Sequence, residues 1–155
     1  MADAEASTAK VLFRVPNEDG SADVETLWAH DLGGDRYRLA NCPFYAYGVS
    51  WEDIIHAPFD PQEGFPTFQS VLEKSGNRTI RIVFDDESVE SGKSKSVLDG
   101  IVALGCDYER ATKTYLSINI PPDVDLNAVV ELLMRESADW EHADPTYDEF
   151  HANRH

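Results

Sequence analysis

The apolar residues of this chain repeat at every second position up to Lys74, then fall at helical spacing in two segments after Asn77. A chain that changes period midway cannot be one uniform sheet or bundle. In Lys10–Pro16 the side chains Val11, Phe13 and Val15 alternate with Leu12 and Arg14, predicting a strand closed by Pro16 and the turn-forming Asn17–Gly20. Residues 1–9 before it are polar and Ala-rich, and are expected to form a loose arm. A second strand is expected at Val24–Asp31, and Gly33-Gly34-Asp35 is a hairpin signal. In Arg36–Asn41, Tyr37 and Leu39 alternate with Arg36 and Arg38, which points the apolar pair at the core. Ile54–Phe59 and Thr67–Lys74, separated by the Pro/Gly-bearing loop Asp60–Pro66, bring the total to five short strands. That is the pattern of a small β-meander or partly closed barrel over residues 10–75.

After Ser75-Gly76-Asn77, Thr79–Phe84 reads as a strand and Asp85–Lys95 as a polar loop. A helix is predicted from Ser96 to Leu104, because Val97, Ile101 and Leu104 share a face and Gly105 sits where helices commonly stop. Asp107–Thr112 and Thr114–Ile120 are candidate strands, the second ended by Pro121-Pro122. Asp125 is a good N-cap for a helix through Ser137, with Leu126, Val129, Val130, Leu133 and Met134 at helical spacing. A last strand is expected at Asp139–Ala143. The order β-α-β-β-α-β over residues 78–145 is ferredoxin-like, with two helices on one face of an antiparallel sheet. Residues 146–155 are left as a tail, and the whole is an α+β chain. The face of the second sheet away from its helices must meet water, the first half or a partner.

Charge narrows the function classes. The chain has 29 acidic and 13 basic residues, a formal net charge of −16, with −8 in each of residues 1–76 and 77–155. Such a field repels phosphates and anionic lipid, so neither nucleic acid nor a membrane surface is an expected partner, whereas a basic protein would be drawn in. No run of about 18 apolar residues occurs. The opening MADAEASTAK carries acids where a secretory signal needs positive charge before an apolar stretch, so the expected location is the cytoplasm. Cys42 and Cys106 are the only cysteines, too few for a zinc ribbon or a disulfide framework.

Candidates for chemistry are sparse. The five histidines show no HxH or HExxH spacing, and in Glu141-His142-Ala143-Asp144 strand alternation sends Glu141 and His142 to opposite faces. No metal or cofactor is therefore expected. Cys42 with His56 would make a nucleophilic pair only if the fold brought them together; the plainer reading of Cys42 is a buried, inert thiol. Glu52-Asp53 beside Trp51 could act as an acid in an aromatic pocket, against the simpler reading of two solvated carboxylates over a packed indole. Asp85-Asp86-Glu87 could hold a cation weakly, though three consecutive acids usually mark a solvated loop. No catalytic residue is assigned. Tyr45, Tyr47, Trp51, Glu52, Asp53, Asp85, Asp86 and Glu87 remain as candidate binding residues.

The segments ETLWA (Glu25–Ala29), YRLANCPFYA (Tyr37–Ala46), Gly48-Val49-Ser50 with Asp53, and Ser75-Gly76 followed by Thr79 and Arg81 resemble the bacterial family known as domain of unknown function 4265. Leu98-Asp99, Leu104-Gly105-Cys106 and the Pro-Pro-plus-helix segment extend the likeness toward Trp140. At the junction Asn77-Arg78 stand where the family has a His-Ser pair. The resemblance implies no activity. By analogy, small acidic proteins of this kind are often immunity proteins or inhibitors of bacterial toxins. The expected function is thus a non-enzymatic protein that binds a basic toxin or nuclease. The alternatives are a small enzyme using Cys42 or Glu52/Asp53, and a regulator that senses a small ligand.

Overall fold

Val11 and Phe13 are buried on the inward side of the first strand, Thr8–Pro16 (β1), but Leu12 between them is buried as well, so the strict alternation expected there does not hold at Leu12. The computed structural model describes residues 7–136 and 138–152, and the chain divides into two compact units, Met1–Gly76 and Asn77–His155. Thr8 and Ala9 belong to β1 and not to a loose arm, because they pair with His30 and Ala29 of the long second strand, Ala22–Gly33 (β2).

In the first unit β2 turns at Gly34-Asp35 into Arg36–Leu39 (β3), and Ile54–His56 (β4) pairs with β3. The strand expected over Ile54–Phe59 is broken at Pro58, which has no N–H for a ladder. Its remainder, Phe59–Asp60 (β5), forms a small hairpin with Phe65–Pro66 (β6) inside what was expected to be plain loop. Ser70–Glu73 (β7) completes a five-stranded sheet in the order β1-β2-β3-β4-β7. β7 is shorter than Thr67–Lys74 because Thr67 bridges Leu12 of β1 and the Phe68 amide donates to the Leu12 carbonyl at 2.9 Å. The sheet is open by strand order, yet it curls until its first strand is tied to the segment leading into its last. Val11, Phe13, Leu27, Ala29, Tyr37, Leu39, Val49 and Ile55 fill its core, with Phe68 stacked on Phe13 at 4.8 Å.

The second unit starts with Arg78–Val83 (β8). Asp85 then caps a short helix, Asp86–Glu90 (α1), by accepting from the Ser88 amide at 2.7 Å, so the expected loop contains a helical turn. Lys93–Ala103 (α2) begins three residues before Ser96; its N-cap is Gly92 at φ 85°, with no side-chain cap to announce it. Asp107–Arg110 (β9) and Tyr115–Ile120 (β10) form a hairpin. Leu126–Arg135 (α3) is capped by Asp125, whose side chain accepts from the Asn127 amide at 3.0 Å, a contact worth about 1 kcal/mol. The expected last residue of this helix, Ser137, lies outside the described residues.

Asp139–Asp144 (β11) follows, and the sheet order β11-β8-β10-β9, antiparallel throughout, is the ferredoxin-like one. Ile80, Ile82, Leu116, Ile118 and Ile120 on the helix side pack against Val97, Leu98 and Ile101 of α2 and Val129 and Leu133 of α3. A Cβ at Gly100 would lie 2.9 Å from Leu132, so the two helices approach through a position that has no side chain. The expected tail instead holds a last helix, Tyr147–Ala152 (α4). Phe150 carries it to the core, stacking on His142 of β11 at 4.5 Å.

Candidate functional site

Residues 40–53, the aromatic segment between β3 and β4, have little regular structure, and their shape is set by two buried carboxylates. Glu25 stands in the inward phase of β2 together with Leu27 and Ala29 and is 7% exposed. Its Oε2 accepts from the Phe44 amide at 2.6 Å, and its Oε1 from the amides of Tyr45 and Ala46 at 3.1 and 3.0 Å. Three consecutive N–H groups converging on one carboxylate form an anion nest, here filled by the chain itself. Asn41 adds a tether, its Oδ1 accepting from the Trp28 amide at 2.9 Å.

Asp53 closes the other end. It is fully buried: Oδ2 accepts from the Ser50 amide at 2.9 Å and from Lys74 Nζ at 2.6 Å, and Oδ1 from the Ser75 amide at 2.8 Å. The Ser75 hydroxyl donates to the Trp51 carbonyl at 2.7 Å, and Lys74 Nζ donates also to the Gly48 carbonyl at 3.1 Å. Glu52 adopts φ 69°, so the chain turns Asp53 inward and leaves Glu52 at the surface. The expectation of two solvated carboxylates holds for Glu52 and fails for Asp53, whose backbone donors replace water.

Between these braces Tyr45 and Tyr47 are each about half exposed, Trp51 is partly buried, and Val49 and Ser50 are buried. Sequence reasoning singled out Asp53 but left Glu25 unassigned. The signal was there: an acidic residue in phase with Leu27 and Ala29 has to point into the core. Cys42 is buried at 4% exposure, and burial pushes the Cys106 thiol up to about 11, so at neutral pH it is a thiol. Asp85 is held below the ordinary carboxylate value by its hydrogen bonds from Ser88, Asp86 lies 3.7 Å from Lys113 Nζ, and Glu87 is exposed in the first turn of α1. The three acids are thus spread over a cap and a helical turn, apart in the chain from the aromatic segment. Among the described residues no group of three His, Cys, Asp or Glu side chains could hold a metal ion, and no helix is long and apolar enough to cross a membrane.

The second unit carries a polar face opposite its helices. Strand register sets it out in rows: Glu141, Arg81, Ser117 and Glu109 lie side by side across β11, β8, β10 and β9, and Asp139, Val83 and Tyr115 form the next row. Arg81 is 1% exposed and its Nε donates to Glu141 Oε1 at 2.9 Å. Ser117, Thr79 and Asn119 on the same face are buried too. A pocket of about 310 Å³ opens where the two rows adjoin, lined by Arg81, Val83, Tyr115, Asp139, Trp140 and Glu141. Sequence reasoning placed these strands and did not foresee the pocket, because only the pairing register brings Tyr115 and Asp139 to either side of Val83.

A family model described as a domain of unknown function, DUF4265, matches residues 25–143, a span that opens on the Glu25 brace. A solved structure described as a novel crystal structure of a hypothetical protein from Neisseria gonorrhoeae is similar with a TM-score of 0.75 at 18% identity, over 91% of this chain and 97% of that one. At that identity the likeness concerns the fold alone. No curated protein matches the chain.

Proposed function

The chain belongs to the DUF4265 family, a domain of unknown function, and from its surface we propose that it is a non-enzymatic, protein-binding protein of the bacterial cytoplasm. Its role in this reading is that of an immunity protein, neutralising a basic toxin effector by direct contact. The observation that carries the reading is the braced aromatic segment: Tyr45 and Tyr47 are half exposed on a backbone fixed at both ends by Glu25 and Asp53. Tyrosines held on a rigid loop offer contact area without the entropy cost of ordering it on binding. A net charge of −16 gives the encounter with a basic partner both speed and selectivity.

Of the groups that could otherwise suggest catalysis, Asp53 and Cys42 are buried within the fold. Asp53 accepts from Ser50, Lys74 and Ser75, and the Cys106 thiol is pushed up to about 11. The test is co-expression with the products of neighbouring genes. The expected result is that one basic, growth-inhibiting product is neutralised and co-purifies as a defined complex, and that replacing Tyr45 and Tyr47 by Ala weakens the complex about tenfold or more. If no neighbouring product is toxic or rescued, the immunity role is wrong.

A further inference from the structure

We propose that the pocket across β11, β8 and β10 receives a basic side chain of the partner, an arginine guanidinium in preference to a lysine ammonium. The inference rests on the protein-binding reading and adds a point of contact in the second unit.

The size of the pocket comes first. About 310 Å³ is at the lower end of the range for small-molecule sites and admits a long side chain. Its chemistry follows from the register. Val83, 48% exposed, sits in the middle of the row, with Tyr115 on one side and Asp139 on the other. An alkyl stem can lie along Val83, and a planar cation can rest against the Tyr115 ring. Asp139 and Glu141 are two apart on one strand and so share a face, where Asp139 can meet a forked guanidinium while Glu141 stays paired with Arg81.

The sign of the site is also set. Arg81 is the one cation in the lining, and it is matched by Glu141 at 2.9 Å, which leaves Asp139 to give the rim a net negative charge. An anionic ligand would have to pass the Asp139 and Glu141 carboxylates to reach a guanidinium that is already paired. A cation meets Asp139 at the rim and an Arg81 charge already matched by Glu141, and the field of the whole chain concentrates it.

Amide NMR titration with a capped Gly-Gly-Arg-Gly-Gly peptide tests this, with the citrulline peptide as a neutral isostere and the lysine peptide as the point-charge control. Saturable shifts confined to Val83, Tyr115, Asp139, Trp140 and Glu141 are expected, with the citrulline peptide roughly tenfold weaker and the lysine peptide intermediate. Asp139 is exposed, so Asp139→Asn should fold normally and weaken the arginine peptide about two- to fivefold. Equal binding of the citrulline peptide, shifts centred elsewhere, or no saturable shift would overturn the proposal. The two readings fail separately. Neutralisation of a basic partner by a complex indifferent to Asp139→Asn would refute the pocket and leave protein binding standing. A pocket that binds the arginine peptide in a protein that rescues no toxin would do the reverse.

Discussion

Glu25 shows how much one side chain can organise here. It gives the amides of Phe44, Tyr45 and Ala46 their acceptor from a side chain that is itself buried. Removing it strands buried donors, and each unmet donor costs about 1–3 kcal/mol. Glu25→Ala should therefore lose about 3 kcal/mol in urea unfolding followed by far-UV circular dichroism. Glu25→Gln should recover only part of this, because its amide nitrogen would face an N–H that needs an acceptor. A loss within about 0.5 kcal/mol for Glu25→Ala would mean the loop is held by something other than the carboxylate. The same positions bear on what could be read in advance. Tyr37 and Leu39 were legible as core from alternation alone, and they are buried. Asp53 was not legible as buried, because two of its three donors, Lys74 and Ser75, lie beyond the following strands and no local pattern connects them to it.

Elements were legible where a period or a cap announces them. The helix capped by Asp125 and the strands β1, β2 and β3 fall close to expectation, since each carries its own pattern. α4 was missed because one buried residue, Phe150, makes no period. A weaker signal was available: Thr146 and Glu149 form a capping box, the Glu149 carboxylate accepting from the Thr146 amide at 2.9 Å. How α4 is held has a consequence for pH. Its Phe150 stacks on His142, Tyr147 and His151 stand around the same ring, and His142 Nδ1 is buried with no hydrogen-bond partner. Burial, with a smaller contribution from His151, holds the His142 imidazole below its ordinary value. The folded state therefore keeps this ring neutral when the unfolded chain would take up a proton. The stability it contributes is full above about pH 6.5 and is lost as the pH falls through that value toward the lowered one. Hydrogen-exchange protection of the α4 amides should drop over that range, and His142→Phe should flatten the dependence. An unchanged pH profile in His142→Phe would sink this account.

Over the whole molecule the change of hydrophobic period at Ser75-Gly76-Asn77 coincides with the division between the units at Gly76 and Asn77. Architecture was legible at this scale because each half has its own periodicity. The pocket was not, because it depends on register between strands distant in sequence. A charge of −16 also acts on the whole molecule: acids repel across its surface, and salt screens them as the Debye length falls from about 30 Å at 0.01 M to about 8 Å at 0.15 M. The melting temperature should rise over that interval. A flat or falling response in calorimetry would show that local ion pairs already balance the field. The Asp53 brace, finally, bears on the order in which the chain acquires shape as it leaves the ribosome. Glu25 can gather Phe44, Tyr45 and Ala46 once those residues are out, but Asp53 must wait for Ser75, 22 residues later. The aromatic segment is thus half set for as long as the ribosome takes to add those residues, and the last amino acids of the first unit to be synthesised are the ones that lock it.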